Sequence, residues 1–203
     1  MSQAVAVPDP SGPPSPTYAA SFEISYPSEL NRWLPLIKWL LVIPHFIALF
    51  FVGIGAFFVV VYGFFAVLFT GRWPRGAFDY LVGTVRWVYR VIAYFHLMTD
   101  VYPPFSLADD AAYPLRLNID YPEHIANWRP LVQWLLAIPY LFVASVLYWL
   151  TGVLTIVAFF TVLFTKQIPR EVFELMVPGM RWNLRGNAYT YFMTDRYPPF
   201  IWG

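Results

Sequence analysis

The chain contains no cysteine. That removes disulfides, thiolate nucleophiles, zinc fingers and iron–sulfur ligation together, and leaves the redox compartment open. Charge is scarce: charged residues make up 12% of the 203, about half the usual ~25%. A formal net charge of +1 gives no field to steer DNA or RNA, so no nucleic-acid partner is expected. His45, His96 and His124 are the only three histidines. Neither H-x-x-x-H nor H-E-x-x-H spacing exists, and no metal is expected. There is no G-x-S-x-G, no Walker loop and no dinucleotide fingerprint. With no nominated nucleophile or cofactor site, the expectation is a protein that is not an enzyme. The N-terminus lacks the basic and apolar regions of a signal peptide. Five prolines within Pro8–Pro16 and two PxxP spacings read residues 1–21 as a disordered or polyproline-II tail.

What is abundant is apolar surface. Apolar residues are 59% of the chain against a usual ~45–50%, which excludes a water-soluble globule of this size and an intrinsically disordered chain. Between Lys38 and Arg72, and again between Arg129 and Lys166, no side chain is formally charged. Hydrocarbon ~30 Å thick is crossed by ~20 helical residues. Each uncharged interval exceeds 30 residues, or about 45 Å as helix, too long for one straight span. Pro44 and Pro139 mark where each would kink. This reads Leu30–Ile43 and Ile125–Ile138 as interfacial helices, and His45–Phe69 and Tyr140–Phe164 as the spans proper. Trp33, Trp39, Trp128 and Trp134 suit the interfacial belt.

The two intervals belong to an internal repeat. A shift of 95 residues lays Tyr26–Phe105 over Tyr121–Phe200 without a gap, with 32 identities in 80 positions. Each copy opens on a strand-like stretch, FEISYP or LRLNIDYP, and carries W-x-P-L-x-x-W-L-L-x-I-P from Trp33 or Trp128. Each then has a basic loop, a second helix with R-W-x-x-R, and a terminal M-T-D-x-Y-P-P-F. The organisation is a tail at 1–21, membrane repeats at 22–105 and 115–203, and a short acidic linker at 106–114.

The second helices are predicted to cross as well, giving an all-α integral membrane protein with four spans. Each repeat then returns to its starting side, the copies are parallel, and FEISYP, YPPFSL, LRLNIDYP and YPPFIW share one face, where they can pair into a small extramembrane sheet. Basic loops alike in both copies favour this through the positive-inside rule. The alternative, two spans with interfacial second helices, requires inverted copies.

Four arginines on the second helices are the leading site candidates. Arg86/Arg90 and Arg181/Arg185 are each four apart, on one face, and an arginine at mid-bilayer costs from ~3 to over 10 kcal/mol. They either hold an anionic lipid head group or form internal ion pairs, with Asp79 and Glu174 on the same face. Arg72, Arg75, Lys166 and Arg170 form a candidate head-group loop, with Asp79 and Glu174 one turn later as local partners. Asp100 and Asp195, at the unfavourable end of the helix dipole, are read as Asx-type turns into the prolines.

The sequence resembles a family of bacterial membrane proteins, common in actinobacteria and catalogued only as a domain of unknown function. The resemblance is carried by W-L-L-x-I-P-H at Trp39–His45, L-F-T-G-R-W-P-R-G at Leu68–Gly76, R-W-x-x-R at Arg86–Arg90 and T-D-x-Y-P-P-F at Thr99–Phe105. It covers most of the chain as two tandem copies. In the second copy KQIPRE replaces GRWPRG and Tyr140 stands at the place of His45. The resemblance implies a multi-pass protein of the bacterial plasma membrane and implies no activity. The expected function is a non-catalytic membrane module, a scaffold or accessory subunit that packs with itself or with a larger assembly. A small oligomeric transporter or channel, and an anionic-lipid-binding protein, are the alternatives.

Overall fold

The computed structural model describes residues 18–202, and the Pro8–Pro16 segment with its PxxP spacings lies outside them. The elements run in chain order β1 (Ala20–Ile24), α1 (Leu34–Leu41), α2 (Ile43–Thr70), α3 (Arg75–Phe95), β2 (Leu115–Ile119), α4 (Arg129–Thr165) and α5 (Arg170–Thr190). β1 starts inside the stretch assigned to the tail, with Ala20 buried.

Proline placement explains the helix boundaries. Pro35, Pro44 and Pro130 sit in first helical turns, where the missing N–H is no loss. The helix is interrupted near the predicted place in the first copy only, where Val42 separates α1 from α2. In the second, α4 continues through Pro139 as one helix of 37 residues. Gly71, at φ +68°, caps α2 in the left-handed conformation. Its equivalent Lys166 takes φ 61° at the end of α4, where only glycine avoids steric cost. The same interlock holds both: the Gly71 carbonyl accepts Ile125 N–H, and the Lys166 carbonyl accepts Leu30 N–H, each at 2.8 Å.

That interlock fixes how the copies sit. The end of α2 lies against the segment that opens α4, and the end of α4 against the segment before α1, so the two long helices run antiparallel. β1 and β2 pair antiparallel, with Phe22 opposite Leu117. These two residues are equivalents under the 95-residue shift, so a pseudo-two-fold axis passes between them. The two copies thus run antiparallel to each other about this axis, where the loops predict parallel copies. The reason is an exchange: each strand packs on the other copy's second helix, β1 on α5 and β2 on α3. Of the four stretches proposed for a sheet, FEISYP and LRLNIDYP supply strands, while YPPFSL and YPPFIW stay irregular.

The molecule has three layers. The sheet turns Phe22, Leu115, Leu117 and Ile119 inward and leaves Glu23, Arg116 and Asn118 exposed. Beneath it lie α3 and α5, buried along most of their length. α1, α2 and α4 form the third layer. α3 runs back along α2: the Trp73 ring covers Gly63, Tyr80 hydroxyl donates to the Val52 carbonyl at 3.0 Å, and Trp87 Nε1 donates to His45 Nδ1 at 3.1 Å. α2 turns His45, Ala56, Gly63 and Val67 to this core and leaves Phe50, Phe57, Phe58 and Phe69 exposed on its other side, as α4 leaves Phe142, Trp149, Ile156 and Phe164. Among the described residues, two helical stretches are long and apolar enough to cross a membrane, Leu34–Thr70 and Arg129–Thr165. The four-span expectation is not met on this measure: α3 and α5 are not long and apolar enough, and both are largely buried between the sheet and the long helices, with Asp79, Glu171 and Glu174 exposed near their starts.

Candidate functional site

The arginine pairs flank the sheet. On α3, Arg86 donates to the carbonyls of Leu117 and Leu107, at 3.4 and 3.2 Å. Arg90 donates to the Ala108 carbonyl at 3.1 Å and lies 5.3 Å from the Tyr113 ring centre. One carboxylate gathers this group: Asp109, from the linker, stands 3.5 Å from Arg86, 3.8 Å from Arg90 and 3.9 Å from Arg116. Burial first, then the neighbouring Arg86 charge, loosen the hold of Arg90 on its proton, and Asp109 and Asp110 oppose this. On α5, Arg181 donates twice to the Phe22 carbonyl, at 3.4 and 3.3 Å. Arg185 lies 5.9 Å from the Tyr18 ring centre; burial pushes its pKa down and Tyr140 opposes this. Phe22 and Leu117 are equivalents, as are Tyr18 and Tyr113, so the two arginine pairs form one motif built twice.

The loop candidates are local. Arg170 pairs with Glu174 at 3.0 Å and Lys166 with Glu29 at 3.3 Å. Arg75 lies over the Tyr121 ring at 4.3 Å, and Arg72 is exposed. Asp79 makes no ion pair among the described residues, and in the first copy the carboxylate beside the arginine stripe is that of Asp109. The Asx-turn reading of Asp100 and Asp195 is corrected. The turns are made by the hydroxyls of Thr99 and Thr194, which accept the N–H groups of Val101 and Arg196. Asp100 instead accepts Asn31 N–H at 2.6 Å and pairs with Lys38 at 2.8 Å. The Asp195 carbonyl accepts from Arg129 at 2.6 Å.

Lys38 was not among the predicted residues. It is 2% exposed, donates to the Thr99 carbonyl at 2.7 Å and sits 4.5 Å over the Tyr94 ring. Its equivalent Gln133 donates to the carbonyls of Tyr189 and Thr194 at 2.7 and 2.6 Å. Sequence offered one signal for this pair, a polar residue at one register position inside an otherwise apolar motif in both copies. Asp109 was visible only as part of an acidic linker. His45 and Tyr140 also hold equivalent places: His45 stacks on Phe105 at 3.9 Å and Tyr140 on Trp182 at 4.9 Å. No group of three or more His, Cys, Asp or Glu side chains able to hold a metal occurs among the described residues.

Taken together, these features define a two-repeat helical protein with an exchanged strand pair and an exposed apolar helix layer. The chain belongs to the family described as Domain of unknown function (DUF4389), which matches it twice, at residues 33–106 and 127–201. No curated protein and no solved structure matches it.

Proposed function

We propose that the protein is a non-catalytic module of the bacterial plasma membrane that lies in the plane of one leaflet, its long helices in the acyl zone and its sheet toward water. One observation carries this: the charged sheet sits beside the middle of the long helices, on the far side of α3 and α5 from their exposed apolar faces. Leu117 is bonded to Arg86, on the part of α3 that faces the central region of the α1–α2 stretch.

Were α2 and α4 to cross the bilayer, their midpoints would stand at its centre. Exposed Glu23 and Arg116 would stand there too, at about 3 kcal/mol or more for each charge. The outer edges of the two-stranded sheet would meet lipid with unpaired backbone groups, which hydrocarbon does not tolerate. Lying flat, helices of about 55 Å need no match to a ~30 Å core, and Trp39, Trp128, Trp134 and Trp149, all exposed, reach the head-group boundary. Membrane lipids are then the first partner. A second copy or a larger membrane assembly would dock on the polar side, in keeping with a scaffold or accessory subunit.

Two inverted spans are the second reading, favoured by two stretches long and apolar enough to cross; a channel would need them. Single cysteines at Arg32 and Arg72, at the two ends of the α1–α2 stretch, separate the readings in a chain with no native thiol. An impermeant maleimide applied to sealed vesicles of one orientation is expected to label both sites or neither. Labelling of one end only rejects the in-plane arrangement, and solute flux through the purified protein in liposomes rejects the scaffold reading.

A further inference from the structure

We infer that the second repeat holds a binding site for an uncharged acyl lipid of the diacylglycerol kind, which enters a cavity beside α4 from the acyl layer and sets an ester carbonyl on the side-chain amide of Asn183. This goes beyond the scaffold reading. It needs only that the exposed face of α4 meets acyl chains, which holds whether α4 lies along the bilayer or crosses it.

The cavity, of about 650 Å³, lies between α4, Asn183 of α5 and His96 at the end of α3. Small-molecule sites commonly enclose ~300–1,000 Å³. Its mouth continues the apolar face of the long helix: Trp149, Val153 and Ile156 line it and are themselves exposed. Among the described residues, no Asp, Glu, Lys or Arg lines it. A charged head group would give up water there without a counter-ion, which is costly. An uncharged polar group finds partners.

Those partners are oriented by hydrogen bonds. Asn183 Oδ1 accepts from the Tyr89 hydroxyl at 2.7 Å and from Asn187 Nδ2 at 2.9 Å. The amide oxygen is thus committed, while the amide N–H groups donate to no acceptor among the described residues. Thr155 gives its hydroxyl proton to the Thr151 carbonyl at 2.8 Å, so it accepts from His96 Nδ1 at 2.7 Å. That leaves His96 Nε2 as an acceptor for the Tyr148 hydroxyl, at 3.4 Å. Asn183 therefore offers a donor to a carbonyl, and the Tyr148 oxygen offers an acceptor to a hydroxyl. A diacylglycerol carries an ester carbonyl and a free hydroxyl on one small head, with acyl chains that suit the apolar mouth.

The duplication supplies a comparison. Under the 95-residue shift, Gly53 stands at the place of Tyr148, Phe57 at that of Gly152, Val60 at that of Thr155 and Val88 at that of Asn183. The corresponding cavity of the first repeat is smaller, about 390 Å³, and has Phe57 and Val88 on its wall. Packing a long helix on its second helix does not require the polar set, because the first repeat does so without it. In the second repeat the polar residues and the space at Gly152 fall together, although they come from three helices.

The test uses the full chain in a non-ionic detergent, titrated with dioctanoylglycerol and, in a separate arm at equal mole fraction in the micelle, with the dioctyl ether of glycerol. The ether keeps the shape and the free hydroxyl and lacks the carbonyl oxygens. Native mass spectrometry counts bound lipid. One dioctanoylglycerol per chain is expected, held about three- to tenfold more tightly than the ether, the worth of one hydrogen bond. Asn183→Val, which copies Val88, is expected to bind the two alike. Gly152→Phe copies Phe57 and fills the cavity. An added Cβ there meets nothing within 4 Å, so the fold is expected to hold and binding to be lost, and this variant stands in should Asn183→Val not fold. No binding, equal binding of ester and ether by the unaltered chain, or undiminished binding by Gly152→Phe overturns the proposal.

Discussion

Removing the Lys38 ammonium tests how the two halves of the first repeat are held together. Lys38 ties α1 to the T-D-x-Y-P-P-F segment through Asp100 at 2.8 Å and the Thr99 carbonyl at 2.7 Å. In Lys38→Met the carboxylate and the carbonyl both lose their donor. Breaking a fully buried pair by deleting one partner costs about 3–5 kcal/mol. Asp100 is 23% exposed and keeps the Asn31 N–H, which puts the cost near the lower end, at about 3 kcal/mol. For a chain of this length that lowers Tm by roughly 6–12 °C. Lys38→Gln follows the second repeat, where Gln133 donates to two carbonyls, so it keeps the backbone bond and is expected to cost about half as much. The pair as a unit contributes less than either deletion suggests, because both charges are taken from water. Lys38→Gln combined with Asp100→Asn is therefore expected to show a coupling of about 1–3 kcal/mol in a double-mutant cycle. The assay is reversible thermal unfolding of the detergent-solubilised protein, followed by near-UV circular dichroism. A coupling below about 0.5 kcal/mol, or a Lys38→Met melt indistinguishable from the parent, refutes the reasoning.

Two further outcomes follow from the geometry. Gly179→Ala brings a Cβ within 2.1 Å of Thr151 Oγ1 and 2.6 Å of the Leu147 carbonyl, forcing α4 and α5 apart at about 1–3 kcal/mol; Gly53→Ala meets nothing within 4 Å and is expected to stabilise α2 by about 0.5–1 kcal/mol, so the same melting assay should shift in opposite directions. His96, set between Thr155 and Tyr148, has its pKa lowered by burial to about 4. The unfolded imidazole, near ~6.5, protonates first, so stability is full above that pH and falls as the pH drops toward 4, by up to about 3 kcal/mol. His96→Gln is expected to flatten the stability profile in that window, and an unchanged profile rejects the assignment.

The sequence by itself determined the repeat, its 95-residue register, the apolar helices and the arginines as places where charge needs a partner. These are properties of spacing and hydropathy, carried locally along the chain. FEISYP and LRLNIDYP read as strands because alternation is a local signal too. The tertiary structure decided which elements face each other. Local patterns look the same whether β1 packs on its own copy's helix or on the other copy's, so the exchange, and with it the inversion of the copies, was not legible. The Lys38–Asp100 and Arg86–Asp109 pairs join residues far apart in sequence, and no periodicity connects them. Duplication copied the arginines, and only the exchange of strands set Arg86 on the Leu117 carbonyl and Arg181 on the Phe22 carbonyl, each in the other copy.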